Sequence, residues 1–155
     1  MTHPVPSYTI QELEKWRDIE FPSFSNDDAL NLGLVAAGVI RDHELELAVD
    51  IVVRGDLVFR AMRSGTGAGN FEWLAGKAAA VLMHGEPSLL DKLRRIEAGT
   101  DNDPEPDGVK FFGGSVPIRV AGEIIGTLTM SGQPDAIDHE MATEAVTRYL
   151  AAYSA

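Results

Sequence analysis

Two segments of this 155-residue chain alternate apolar and polar side chains across a glycine-containing turn, and that pattern restricts the fold more than any other feature. In residues 46–63, Leu47, Val49, Ile51 and Val53 fall on one face, Arg54-Gly55-Asp56 turns the chain, and Leu57, Phe59 and Ala61 resume the face. In the second segment Val116, Ile118 and Val120 alternate, Ala121-Gly122 turns, and Ile124, Gly126, Leu128 and Met130 continue on one face. Strands joined by tight turns pair antiparallel, because parallel neighbours need a crossover of about a dozen residues or more. Pro117 has no N–H to give to a ladder, which puts its strand at a sheet edge or at a bulge.

Helical patterns lie before, between and after these hairpins. Thr9 and Glu12 form a capping box ahead of Ile10, Leu13 and Trp16, after which Phe21, Pro22 and Phe24 read as an extended link. Ser25 and Asp28 open a helix through about Arg41. Its apolar arc, Leu30, Leu32, Leu34, Val35, Val39 and Ile40, is too wide for a surface helix, and Gly33 and Gly38 suggest close packing. Helices over 70–83 and 89–97 follow a glycine-rich stretch from Ser64 to Gly69 and a break at Gly85 and Pro87. The stretch from Gly99 to Gly108, with Pro104 and Pro106, reads as a surface loop. A final helix starts at Pro134 and Asp135 with the stripe Ala142, Val146, Tyr149, Leu150 and Tyr153. Helices on both faces of a hairpin sheet give an α/β (α+β) class, a three-layer α/β/α sandwich around an antiparallel sheet, expected as one domain over residues 1–155.

Composition removes several chemistries. The chain has no cysteine, which excludes thiol nucleophiles, zinc–thiolate sites and disulfides, and suits a reducing cytoplasm. A formal net charge of -11 disfavours nucleic acid and anionic membrane surfaces as partners. The opening MTHPVPSYTI has neither a basic start nor an apolar core, so no secretory leader is expected. No apolar run approaches the roughly eighteen residues of a membrane span.

Several residues are candidates for chemistry. The loop Gly65-Thr66-Gly67-Ala68-Gly69 is either a flexible turn or an anion cradle at a helix start. It is not a dinucleotide fingerprint, because Asn70 stands where the third glycine belongs. Trp73, Lys77 and His84, at spacings of four and seven, share a helix face. Lys77 would hold a carboxylate or lie across Trp73, and His84 would ligate metal or haem or stabilise the helix end. Met83 is expected in the core rather than as an axial ligand. Asp50, between Ala48 and Val52, needs a partner: a helix terminus by default, or Lys77 or Arg60 in a site. Gly113-Gly114 beside Phe111 and Phe112 either walls a flat apolar pocket or forms a turn feeding the edge strand. Asp135, Asp138, His139 and Glu140 make an acidic helix start, where adjacent residues diverge too far for shared metal binding. The acidic loop 101–108 is not an EF-hand, since Gly114 falls at the bidentate glutamate position.

The ordered set Gly113-Gly114-Ser115-Val116-Pro117-Ile118, Ile125-Gly126-Thr127, Ser131-Gly132 and Asp138-His139-Glu140 resembles the GlcG/HbpS-like, or haem-degrading domain, family over residues 10–150. Val49-Asp50-Ile51, Gly65-Thr66 and Trp73 with Lys77 resemble a branch of uncharacterised bacterial proteins within it. The resemblance implies a profilin-like sandwich, homo-oligomers from dimers upward, and haem or another tetrapyrrole as ligand in some members. It also implies a histidine just before the paired glycines, where this chain has Phe112. The expectation is a cytoplasmic, homo-oligomeric small-molecule-binding protein whose site draws on Asp50, Gly65, Trp73, Lys77, His84, Phe112, Gly113 and Gly114. The alternatives are an enzyme of small-acid or cofactor metabolism with Asp50, Lys77 or His84 as acid–base groups, and a non-enzymatic assembly module.

Overall fold

A computed structural model describes residues 3–153; Met1 and Thr2, part of the opening segment read for a leader, lie outside them. Helix α1 (Ile10–Glu14) carries the Thr9–Glu12 capping box and runs into a 3₁₀ turn at Lys15–Asp18. Helix α2 (Asn26–His43) is capped by Ser25 and Asp28 in the same reciprocal way, satisfying first-turn N–H groups. Strands β1 (Ala48–Val53) and β2 (Asp56–Met62) form the first hairpin. Helices α3 (Gly69–His84) and α4 (Ser88–Ala98) precede the second, β3 (Ser115–Val120) with β4 (Glu123–Ser131), and α5 (Asp135–Tyr153) closes the chain.

The sheet is antiparallel throughout, in the order β2-β1-β4-β3. Pro117 therefore lies on an edge strand, where its missing N–H costs no ladder bond. Both hairpins turn through two residues with positive φ, Arg54-Gly55 and Ala121-Gly122, the conformation that matches strand twist. Each hairpin also contains a bulge beside its turn. Ile51 pairs with Phe59 and Val52 with Leu57, so Val58 is extra. Ile118 pairs with Gly126 and Arg119 with Ile124, so Ile125 is extra. A one-residue slip moves a side chain to the opposite face. The expected positions of Leu57 and Ile124 on the core face are thereby corrected. Val58 and Ile125 pack against the core instead, Leu57 is half exposed, and Ile124 approaches Gly85 on the opposite side.

Helices α2 and α5 cover one sheet face, and between them sits the main core of Leu32, Val39, Val49, Ile51, Val116, Ile118, Leu128, Met130, Met141 and Val146. Helix α3 covers the other face, giving the three layers. Gly33 packs under the Phe59 ring, whereas Gly38 meets nothing, so only one of the two helix glycines serves close packing. The wide apolar arc of α2 is not fully buried either, since Leu30 and Leu34 face outward. No helix among the described residues is long and apolar enough to cross a membrane.

Candidate functional site

At the end of the sheet where β4 stops and β3 begins, side chains from α3 and α5, on opposite faces, reach each other. Lys77 comes from the third turn of α3 and is almost fully buried. Its ammonium donates to Asp138 Oδ2 at 2.8 Å and to the Met130 carbonyl at 3.1 Å. Asp138, in the first turn of α5, also accepts from the Gln133 backbone N–H at 2.9 Å. Desolvation pushes the Asp138 carboxyl up to about 6, against the lowering pull of Lys77. Gly114 makes room for this pair. Its φ is +135°, and a Cβ there would come within 2.9 Å of Lys77 Nζ and against the Met130 carbonyl. Gly113 is pinned in turn. Its N–H donates to Asp135 Oδ2 at 2.8 Å, and Lys92 holds the same carboxylate.

Above the ion pair opens a cleft of about 340 Å³, walled by Trp73 and Phe112 and lined further by Asn70, Ser131, Gln133 and Asp138. The two rings meet edge to face with centroids 5.2 Å apart. Trp73 carries the ammonium of Lys110 at 4.9 Å, and Phe112 that of Lys92 at 5.1 Å, so cations fix both walls. The sequence expectation that Lys77 lies across Trp73 is corrected: Lys110 does so, and Lys77 turns inward.

The structure thus brings Trp73, Lys77, Phe112, Gly113 and Gly114 together and places the other candidates elsewhere. Asp50 forms a two-pronged pair with Arg60, its register partner on β2, at 2.7 and 2.8 Å, rather than with a helix terminus. Gly65 lies against the Glu46 carboxylate, and Asn70 Oδ1 takes the Gly67 N–H at 3.0 Å, so the loop's nearest anion is its own glutamate. His84, at the last position of α3, reaches α4 and bonds Asp91 at 2.6 Å, away from Lys77. Asp50, Lys77 and His84 each engage a different partner and do not form one acid–base constellation. Met83 is half exposed rather than core. Asp138 and His139 diverge as expected, with His139 buried against Tyr8 and pushed down to about 4 by desolvation.

Sequence reading took Asp138 for a helix cap and missed it as the partner of Lys77. The two residues are 61 positions apart, and no local pattern links them. Ser131 entered only through the family resemblance and Asn70 only as the break in a dinucleotide fingerprint, while Gln133 carried no signal; none was read as a cleft residue.

A family model described as "Haem degrading protein HbpS-like" matches residues 24–147. The chain belongs to the HbpS-like family. Among curated relatives, a UPF0303 protein of Streptomyces coelicolor is 35% identical over 148 residues, covering 92% of this chain and 94% of the relative. A UPF0303 protein of Rhizobium etli is 31% identical over 142 residues, covering 89% and 87%. Among solved structures, the Ybr137w protein aligns with a TM-score of 0.81 at 22% identity, over 92% of this chain and 88% of that one. HbpS aligns at 0.68 and 19% identity over 84% and 92%, and a PduOC:heme complex at 0.65 and 19% over 81% and 94%. These likenesses fix the HbpS-like fold of the chain and leave its ligand to its own residues.

Proposed function

We propose that this HbpS-like protein binds a small organic molecule in the Trp73–Phe112 cleft, its planar body against the rings and its polar end toward Lys77 and Asp138. The observation that carries this reading is a buried ion pair at the floor of an aromatic-walled cleft. Removing two charges from water costs several kcal/mol each, and an apolar pair would often serve stability as well. Burial raises the Asp138 carboxyl to about 6, and carboxyls shifted in this way beside clefts are enriched at functional sites. The cleft volume suits a metabolite-sized ligand.

Haem, the ligand class brought by the family, meets a specific obstacle here. The described cleft lining holds no histidine, methionine, tyrosine or cysteine to ligate iron, and the position just before the paired glycines presents the Phe112 ring. The residues of the cleft therefore do not fit an iron-ligated haem. The test is a titration of purified protein with haem and a metabolite panel, read by tryptophan fluorescence, by calorimetry, which serves the Trp73 variant as well, and by the Soret band. A metabolite should quench wild type and bind Trp73→Ala at least about tenfold more weakly. Equal binding by both, or a ligated-haem Soret band in wild type, would sink the reading.

A second reading, an enzyme of small-acid or cofactor metabolism, rests on Asp138 alone, whose raised pKa suits proton transfer near neutral pH. Turnover lost in Asp138→Asn with the fold intact would favour it. We also infer that the chain self-associates. Leu34 and Leu57 are 67% and 50% exposed, and β2 is an open edge strand beside them.

A further inference from the structure

Adjacent residues Phe111 and Phe112 line different cavities. Phe112 walls the cleft, and Phe111 lines a second cavity of about 500 Å³ with His84, Asp91, Arg94, Arg95 and Thr100. His84 stacks on the Phe111 ring, centroids 5.6 Å apart and nearly parallel. Its Nδ1 lies 2.6 Å from Asp91 Oδ1, and an ionised carboxylate only accepts, so the neutral ring carries its proton on Nδ1. In that neutral form Nε2 is a lone pair on a half-exposed side chain, with no partner among the described residues. Asp91 itself is 6% exposed, which holds the His84 contact in a fixed place.

The two arginines differ. Arg94 is taken up by Glu86 and Glu14 at 2.6 and 3.0 Å. Arg95, one turn beyond Asp91 on α4, is anchored through Nη2 by two neutral acceptors, the carbonyls of Thr100 and Asp103. Its ion pair with Glu105 is long, 4.0 Å from Nη1. A rigidly held guanidinium with donors to spare thus shares a cavity with an oriented imidazole acceptor.

We propose that this cavity is a second binding site, for a small oxyanion that keeps an O–H at neutral pH, hydrogen phosphate being the simplest. The O–H donates to His84 Nε2 and the bare oxygens face Arg95. Sulfate has the same shape and charge but no proton to give, so it sets an oxygen lone pair against Nε2. The site shares no residue with the Trp73 cleft, and either reading can fail alone.

The experiment titrates the protein at about pH 7 with inorganic phosphate and with sulfate at matched ionic strength, following the His84 ring nitrogens by NMR. Assignment comes from His84→Gln, a half-exposed position where folding is checked by melting. Phosphate should shift His84 saturably, with sulfate at least about tenfold weaker, and His84→Gln and Arg95→Met should each weaken phosphate about tenfold by calorimetry. Equal response to the two anions, no saturable response, or unchanged phosphate binding in His84→Gln overturns the proposal.

Discussion

Lys77 and Asp138 are the residues on which most depends. Leaving a buried carboxylate without its cation costs about 3 kcal/mol or more. Lys77→Met should therefore lose on the order of 3 kcal/mol at neutral pH in urea unfolding. The loss should shrink at about pH 5, because Asp138, already raised to about 6, then takes a proton. An equal loss at both pH values would show that packing, not charge, holds the pair. The next residue titrates the opposite way. Asp138 has a folded pKa above its unfolded value of about 3.9, so its stabilising contribution is full below about pH 4 and is lost as pH rises through about 6. His139 has a folded pKa of about 4, below the ordinary 6.5, so its contribution is full above about 6.5 and is lost as pH falls through about 4. The slopes oppose in one window. Asp138→Asn should become more stable relative to wild type as pH rises through it, and His139→Gln less stable, each by roughly 2 kcal/mol. Denaturant midpoints at a series of pH values would show both, and parallel curves would refute the assignment.

At the scale of elements, the hairpins combine a legible part with a hidden one. Alternation and the turn glycines placed both hairpins, and the antiparallel sheet followed from short connections. The bulges were not legible, because a slip at Val58 or Ile125 is chosen by which side chain the opposing helices accept. Ala121 adopts φ +51° in its turn, a conformation that Asn tolerates better than Ala. Ala121→Asn is expected to raise stability by roughly 0.5–1 kcal/mol, measurable as a higher melting temperature. No gain would mean that the turn relaxes in solution. Helix α3 makes the complementary point. A spacing of seven on a helix wheel put Lys77 and His84 on one face, yet Lys77 rounds the sheet end while His84, at the last turn, is drawn to α4 by Asp91.

For the whole molecule, the surface left by the three layers is the guide. Leu34 and Leu57 were read as core, and both are half or more exposed. An apolar surface beside an open strand edge favours burial against a second copy. Leu34→Glu should lower the solution mass toward that of one chain in light scattering, with its melting profile little changed. A wild-type mass already that of one chain would end the inference.

The sequence by itself determined the layers: two hairpins, the capped helices around them, Pro117 at an edge or a bulge, and the family. These rest on local periodicity and backbone chemistry, which travel with the residues. Tertiary structure alone decided which polar groups meet. Asp50 with Arg60, Lys77 with Asp138 and His84 with Asp91 each had several charge-compatible partners in a chain with 24 acidic residues. Only the closure of α3 and α5 around the sheet end, with Gly114 clearing the space, selected one partner for Lys77 and opened a cleft above it.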